Sequence, residues 1–167
     1  MYQNYEFVKI DIPGPFIFFR TELVVIDLIR FYQKRNLLEM EGNLIENIIK
    51  YVNLDPDKPQ YHNVLYSNRK LPYSDVYVKG QWIKQGINST VDNLIKSKCC
   101  CIIYFLQRNA YYPLSEDSKE KIKDALNYLV VYTEKEQNRL MLRIKRLLYN
   151  NRDIVKKTKM LTMNRTN

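Results

Sequence analysis

DVYVKGQWIK, residues 75–84, is the stretch that decides the fold class of this chain. The residues on either side of its centre, 75–78 and 82–84, are mostly β-branched or aromatic, which favours strands. Gly80 stands between them, and a glycine tolerates the positive φ that a tight hairpin turn requires. The stretch therefore predicts an antiparallel β-hairpin, and residues 63–68 predict a further strand just before it.

Helical patterns precede the hairpin. Thr21 suits the N-cap of a helix over about residues 22–35, which a short strand at residues 16–19 would precede. A second helix is expected over about residues 43–52, where leucines and isoleucines recur on one face of a 3.6-residue turn.

A third helix is expected directly after the hairpin. Asn88 or Ser89 would be its N-cap, Val91 would lie on its apolar face, and Trp82 would pack over it. The run CCCIIYFL at residues 99–106 follows. Its periodicity fits either a continuation of this helix or a strand, so both alternatives stay open.

The last predicted element begins at Ser115 and contains two apolar stripes. Residues 133–138 between the stripes are wholly polar, so either one long helix crosses solvent there or two helices meet at a bend. Together these patterns predict an α+β fold that is mostly helical, with a small central antiparallel β-hairpin and a long C-terminal helix. Residues 1–150 would form a single globular domain, and residues 151–167 would form a basic C-terminal tail.

Positive charge is concentrated at the C-terminal end. The chain has 167 residues and a formal net charge of +9. Residues 1–138 contain 18 Lys or Arg against 17 Asp or Glu, whereas residues 139–167 contain nine against one. A block of this kind is a typical footprint for a polyanion such as nucleic acid, and equally for an acidic protein partner.

A row of arginines makes this charge directional. Arg139, Arg143 and Arg146 recur at i, i+4 and i+7, so a helix places them on one face. Leu140 and Ile144 fall on the other side, where they can pack on the protein. An ordinary solvated amphipathic helix shows the same pattern, so that alternative stays open. The predicted nucleic-acid-binding residues are Arg139, Arg143, Lys145, Arg146, Arg152, Lys156, Lys157 and Lys159.

Three adjacent cysteines, Cys99, Cys100 and Cys101, are the only cysteines in the chain. Zinc ligands must converge on a tetrahedron, whereas adjacent side chains on a helix or strand point apart. An odd, clustered number also does not fit a disulfide framework. We therefore expect small, buried, reduced side chains in a reducing compartment, with neither a metal nor another cofactor.

His62 is the only histidine and the obvious candidate for a reaction centre. A hydrolase or nuclease would have to combine it with Asp55 or Asp57, but there is no second histidine and no glycine-flanked serine nucleophile. Glycine-rich phosphate loops are also absent. We therefore favour a structural role for His62 in a turn that leads into a strand, and we expect no enzymatic activity.

A spaced pattern covers residues 53–98: Pro56-x-x-Pro59-x-x-His62-Asn63, then Asn68, Lys70, Tyr73, Val76, Gly80 and Trp82, then Val91-Asp92-Asn93-Leu94-Ile95. This pattern resembles a module of proteins from nucleocytoplasmic large DNA viruses of the mimivirus type. The resemblance implies a viral origin, a shared fold, and a location in the virus factory of the host cytoplasm or in the virion. Relatives often carry an N-terminal zinc finger, whose cysteine and histidine ligands this chain lacks.

The sequence as a whole predicts a non-enzymatic viral accessory protein. It would bind nucleic acid without strong sequence preference through its basic C-terminal helix. The alternative is a protein-interaction or virion component whose basic tail contacts an acidic partner, with homo- or hetero-oligomers forming through the same helix. The apolar run at residues 16–32 is interrupted by charged side chains, so no membrane-spanning helix is expected.

Overall fold

The computed structural model describes residue 38 and residues 40–108 and 114–164. The predicted strand at residues 16–19 and helix at 22–35 lie outside these residues. The α+β class is confirmed. The described elements are α1 (Leu44–Asn53), a 3-10 turn (Pro59–Tyr61), β1 (Val64–Leu65), β2 (Tyr73–Val78), β3 (Gln81–Gly86), α2 (Ile87–Arg108), α3 (Glu116–Val130), α4 (Glu134–Asn150) and α5 (Arg152–Asn164).

The predicted hairpin is present as β2 and β3. Val78 pairs with Gln81 across a two-residue turn, in which Lys79 has φ +47° and Gly80 has φ +85°. Two successive positive φ angles match the right-handed twist of the strands, which is why glycine is needed at the second position. β1 pairs antiparallel with β2, giving the sheet order β1-β2-β3.

The strand predicted at residues 63–68 is shorter than expected. Only Val64 and Leu65 pair with β2. The side chain of Asn68 accepts a hydrogen bond from the backbone N–H of Lys70 at 2.9 Å, and its carbonyl accepts one from Leu71 at 3.2 Å. This local turn satisfies the backbone in place of a strand ladder, and it redirects the chain towards β2.

Helix α2 is the central element, and it contacts α1, α3, α4, β2 and β3. The open alternatives for residues 99–106 resolve in favour of helix, because α2 continues unbroken to Arg108. Cys99, Ile102 and Phe105 then share the buried side. The predicted caps, Asn88 and Ser89, are two and three residues too late and lie inside the helix, which begins at Ile87.

The C-terminal region consists of three helices. Ser115 is the N-cap of α3, as predicted, and accepts a hydrogen bond from the backbone N–H of Ser118 at 3.2 Å. Between the two predicted stripes the chain bends, because Thr133 caps α4 in a reciprocal capping box with Glu136. The two-helix alternative is therefore the observed one.

The expectation of a tail over residues 151–167 is wrong for residues 152–164, which form α5. Val155 in this helix is 1% exposed, and Thr158 is also buried. α5 contacts β1 and α4. The segment is therefore part of the packed structure, and its lysines have neighbours that a solvated tail would lack.

Helix α4 docks through an apolar stripe. Leu140, Ile144 and Leu148 are buried in the same core as Leu65 of β1 and Ile95 of α2. Full burial of each such side chain contributes about 1.5–3 kcal/mol relative to exposure. This stripe fixes which side of α4 faces solvent, and so where its arginines point.

Candidate nucleic-acid interface

The three arginines of α4 share its solvent side, as predicted. Arg139, Arg143 and Arg146 are all exposed, while Ile144 and Leu148 are buried on the opposite side. The row therefore exists as a geometric feature. Its three members nevertheless have different electrostatic surroundings.

The first half of the row lies in a charge-balanced setting. Arg143 Nε is 2.7 Å from Glu46 Oε1 of α1. Arg139 and Arg143 also line a cleft of about 250 Å³ together with Asp124 and Glu136. Hydrogen bonds from Thr133 hold the pKa of Glu136 below its usual range, and Arg139 lowers it further. The carboxylates therefore offset much of the positive potential of these two arginines.

The C-terminal end of α4 differs because an aromatic ring there carries two arginines. Arg69 Cζ lies 4.2 Å from the ring centroid of Tyr149, and Arg152 Cζ lies 4.1 Å from it. Both guanidinium groups therefore lie in contact with this one ring. Tyr66 meets the same ring edge-on, with centroids 6.4 Å apart. Cation–π attraction of this kind pre-orders both guanidinium groups.

Hydrogen bonds fix the same two arginines. Arg69 Nη2 donates to Asn150 Oδ1 at 3.0 Å, and Arg152 Nη1 donates to the carbonyl of Tyr149 at 2.9 Å. Tyr66 donates its hydroxyl proton to the carbonyl of Arg69 at 3.2 Å, which ties the β1–β2 turn to this position. Each guanidinium has five N–H donors, so most of them remain available for a ligand.

These side chains form a basic elbow at the junction of α4 and α5, made of Arg69, Lys70, Arg146 and Arg152. Arg146 lies one turn before Asn150 on the same side of α4, and Asn150 accepts the hydrogen bond from Arg69. Arg69, Lys70 and Arg146 are exposed, and Arg146 makes no ion pair with any described residue. The basic elbow therefore combines two arginines held by ring contacts and hydrogen bonds, Arg69 and Arg152, with the exposed cations Lys70 and Arg146.

Two members of the basic elbow, Arg69 and Lys70, were missed by sequence reasoning. They lie 69 residues or more before Arg139, and only the packing of the β1–β2 turn against α4 brings them close. The available signal was the pair of adjacent cations in a turn, directly after Asn68. Its meaning depended on a tertiary contact that no local pattern shows.

The predicted lysines are partly engaged within the fold. Lys159 Nζ is 2.8 Å from Asp75 Oδ2 of β2, and both side chains are largely buried. Lys156 Nζ lies 3.5 Å from Asp153 Oδ1 within α5. Lys145 donates a hydrogen bond to the side chain of Asn88 at the start of α2. Lys157 is exposed. The lysines of α5 therefore contribute less available charge than their number suggests.

His62 and Trp82 hold α5 in place. His62 is buried, with Nδ1 at 2.7 Å from Thr158 Oγ1 and Nε2 at 2.7 Å from the carbonyl of Asp55. Because a carbonyl only accepts, Nε2 carries a proton and donates it. Trp82 Nε1 donates to Thr162 Oγ1 at 3.0 Å. The hydrogen-bond partner of the indole is thus in the last helix, and the strand that carries Trp82 also contacts α2.

This arrangement favours the structural interpretation of His62. Both ring nitrogens already have partners within the fold. The Asp55 carboxylate accepts a hydrogen bond from the backbone N–H of Asp57 at 3.0 Å and lies 3.5 Å from Lys58 Nζ. These are the contacts of a turn, in which the carboxylate satisfies local backbone groups.

The cysteines are free thiols, and their side chains lie inside the helix bundle. Cys99 donates to the carbonyl of Ala125 at 3.5 Å, and burial raises the pKa of its thiol. Burial also raises the pKa of Cys100 and Cys101, which keeps both protonated near neutral pH. In the part of the chain that the structure describes, no cluster of three His, Cys, Asp or Glu side chains could hold a metal ion.

No family model matches the chain, and neither curated proteins nor solved structures gave a significant match. The resemblance to a viral module therefore stays a prediction. Among the described residues, no helix is both long enough and apolar enough to cross a membrane.

Proposed function

We propose that this protein is a non-enzymatic accessory protein that binds nucleic acid without strong sequence preference. The observation that carries the proposal is the pair of guanidinium groups of Arg69 and Arg152 stacked on Tyr149. A planar guanidinium donates two parallel hydrogen bonds to a phosphate, so a pre-ordered pair suits a phosphate backbone. Arg146 beside them extends the positive surface along α4.

Binding at this surface would work by neutralising phosphates. Each arginine or lysine that meets a phosphate releases a condensed counterion, and this release is independent of base sequence. Arg139, at the start of α4, would contribute weakly, because it shares a cleft with Asp124 and Glu136. Arg143 and Lys159 would add less, because Glu46 and Asp75 already neutralise them.

The test is direct binding of a labelled 20-base-pair DNA duplex of mixed sequence, followed by fluorescence anisotropy. The variant carries Arg69→Gln, Arg146→Gln and Arg152→Gln together. The matched control carries three changes of equal charge on exposed lysines elsewhere, Lys50→Gln, Lys79→Gln and Lys123→Gln. We expect the first variant to lose at least about 100-fold in affinity and the control less than about tenfold, since only the first removes oriented phosphate contacts. Equal losses would contradict the proposed site.

A second candidate function, protein interaction, is favoured by the outer side of α5. Met160, Leu161 and Met163 are 67%, 63% and 54% exposed. Thr158 and Thr162, in contrast, face the fold and make its docking hydrogen bonds. An apolar outer side on a helix with a polar inner side is typical of a surface that meets another protein.

The second candidate is tested by size-exclusion chromatography with light scattering on the wild type and on Leu161→Asp. Self-association that the substitution abolishes, together with no duplex binding by the wild type, would favour assembly over nucleic-acid binding. An acidic protein partner and the viral setting implied by the residue pattern around His62 remain parts of this proposal.

A further inference from the structure

The tyrosines in the described part of the chain are buried or half-buried. The sequence contains 14 tyrosines, and nine of them are in the described residues. None of these nine side chains is exposed, and Trp82 is also only partly accessible. A chain with this many tyrosines could present several rings on which bases stack. In the described part of the fold, however, the aromatic rings pack against other side chains.

The aromatic rings nearest the basic surface are already covered. The ring of Tyr149 is already in contact with the chain's own Arg69 and Arg152. The ring of Trp82 contacts Tyr77 at a centroid separation of 5.2 Å, and Lys159 Nζ lies 5.5 Å from it. A base could stack on either ring only after displacing these groups.

Proteins that bind single-stranded nucleic acid combine a basic groove with aromatic rings on which bases stack, at about 1–3 kcal/mol per base. Among the described residues, the basic elbow supplies cations without an exposed aromatic ring on which a base could stack. From this juxtaposition we infer that its ligand is the phosphate backbone of a double helix, and that unpaired strands bind weakly. The inference rests on the proposed function and narrows its ligand.

The shape of the surface agrees with this choice. Arg139 and Asn150, which holds Arg69, lie 11 residues apart on one helix, a separation of about 16 Å at 1.5 Å per residue. A duplex carries one charge per about 1.7 Å of its axis, more than a single strand carries. A rigid row of guanidinium groups therefore meets more phosphates on a duplex than on a flexible strand.

The experiment measures two DNA ligands against the full chain at the same salt concentration. One is a 20-base-pair duplex of mixed sequence, and the other is a 20-nucleotide thymidine homopolymer, which cannot form a duplex with itself. We expect the duplex to bind at least tenfold more tightly than the homopolymer. Equal or tighter binding of the homopolymer would overturn the inference and leave nucleic-acid binding itself standing. No binding of either ligand would overturn both.

A second measurement uses the emission of Trp82, the only tryptophan. Stacking of a base on the indole quenches its fluorescence, whereas phosphate contacts alone leave it nearly unchanged. We expect saturating homopolymer to change the emission by less than about one tenth, because Trp82 stays packed between Tyr77 and α5. Strong quenching by the homopolymer would show that bases reach the ring, and would contradict the inference.

Discussion

Helices α4 and α5 are consecutive, amphipathic and basic, but different kinds of contact attach them to the rest of the fold. α4 docks through Leu140, Ile144 and Leu148, and its arginines extend into solvent. α5 docks through the buried Val155 and through polar contacts, among them Thr158 with His62 and Lys159 with Asp75. What a helix uses for docking therefore decides whether its cations remain available for a partner.

The comparison also separates two kinds of arginine within α4. Arg143 meets the carboxylate of Glu46, while Arg146 lies beside the stacked pair on Tyr149. In the sequence, both arginines belong to the same i, i+4, i+7 row, and both are predicted to face solvent. Their difference comes from the neighbouring elements, α1 in one case and the β1–β2 turn in the other.

The largest expected effect is on the apolar attachment of α4. Leu148→Ala should lower the free energy of unfolding by about 2–5 kcal/mol, because it removes a fully buried side chain and leaves a cavity. The measurement is urea denaturation followed by circular dichroism. The matched control is Leu142→Ala on the exposed side of the same helix, which should cost less than about 1 kcal/mol. Similar losses in the free energy of unfolding for the two variants would contradict the docking of α4 through its apolar stripe.

The next largest expected effects on stability concern two lysines. Lys159 is paired with Asp75, whereas Lys98 in α2 is 4% exposed and makes no ion pair with a described residue. Lys159→Met should destabilise the fold by about 1–3 kcal/mol, because it leaves a largely buried carboxylate without its partner. Lys98→Met should stabilise it by about 1–3 kcal/mol, because it removes a buried amine of similar size.

The gain from Lys98→Met depends on pH with a definite sign. Burial lowers the pKa of Lys98, so between that value and 10.5 the unfolded chain binds the proton and the folded chain does not. Wild-type stability therefore rises with pH in this window through Lys98. The advantage of Lys98→Met, measured by urea denaturation, should shrink from pH 6 to pH 9. An advantage that grows with pH would contradict this account.

The next prediction concerns duplex affinity and compares Arg146→Gln with Arg143→Gln. Loss of Arg146 should lower duplex affinity by about tenfold, the equivalent of one hydrogen-bonded charge contact. Loss of Arg143 should cost less than about threefold, because Glu46 already neutralises this arginine. Anisotropy titrations at one salt concentration measure both. The reverse order would show that the charge-balanced half of the row is the binding surface.

The smallest effect concerns the polar attachment of α5. Thr162→Val removes the hydroxyl that accepts from Trp82 Nε1 and keeps the shape of the side chain. The loss should be about 0.5–1.5 kcal/mol, and it should fall on α5 alone. Amide hydrogen exchange is the measurement, with faster exchange expected in α5 and no change in α4. Equal acceleration in both helices would mean that they open as one unit.

The sequence predicted best those features that depend only on residues close together in the chain. Three features follow from backbone requirements that are visible in the neighbouring residues: the turn at Gly80, the helix start at Ser115 and the bend near Thr133. The continuation of α2 through Cys101 was open, because a short apolar run suits helix and strand equally. It was decided by the helices that pack around it.

The site was harder to predict because charge counting treats every lysine and arginine alike. The engagement of Lys159 depends on Asp75, 84 positions earlier, and the fixed position of Arg152 depends on Tyr149. The stacking role of Arg69 depends on contacts 80 and 81 positions away. Such pairings arise from the way the sheet, α4 and α5 meet, and sequence periodicity contains no record of them.

The central claim is that oriented guanidinium groups at the basic elbow neutralise phosphates. The most direct measurement is the slope of log Kobs for the 20-base-pair duplex against log salt concentration, for the wild type and for the variant with Arg69→Gln, Arg146→Gln and Arg152→Gln. Three lost phosphate contacts should make the slope of the variant shallower by about 2.7, from about 0.9 per contact. Identical slopes in the two proteins, with both folded, would contradict the claim.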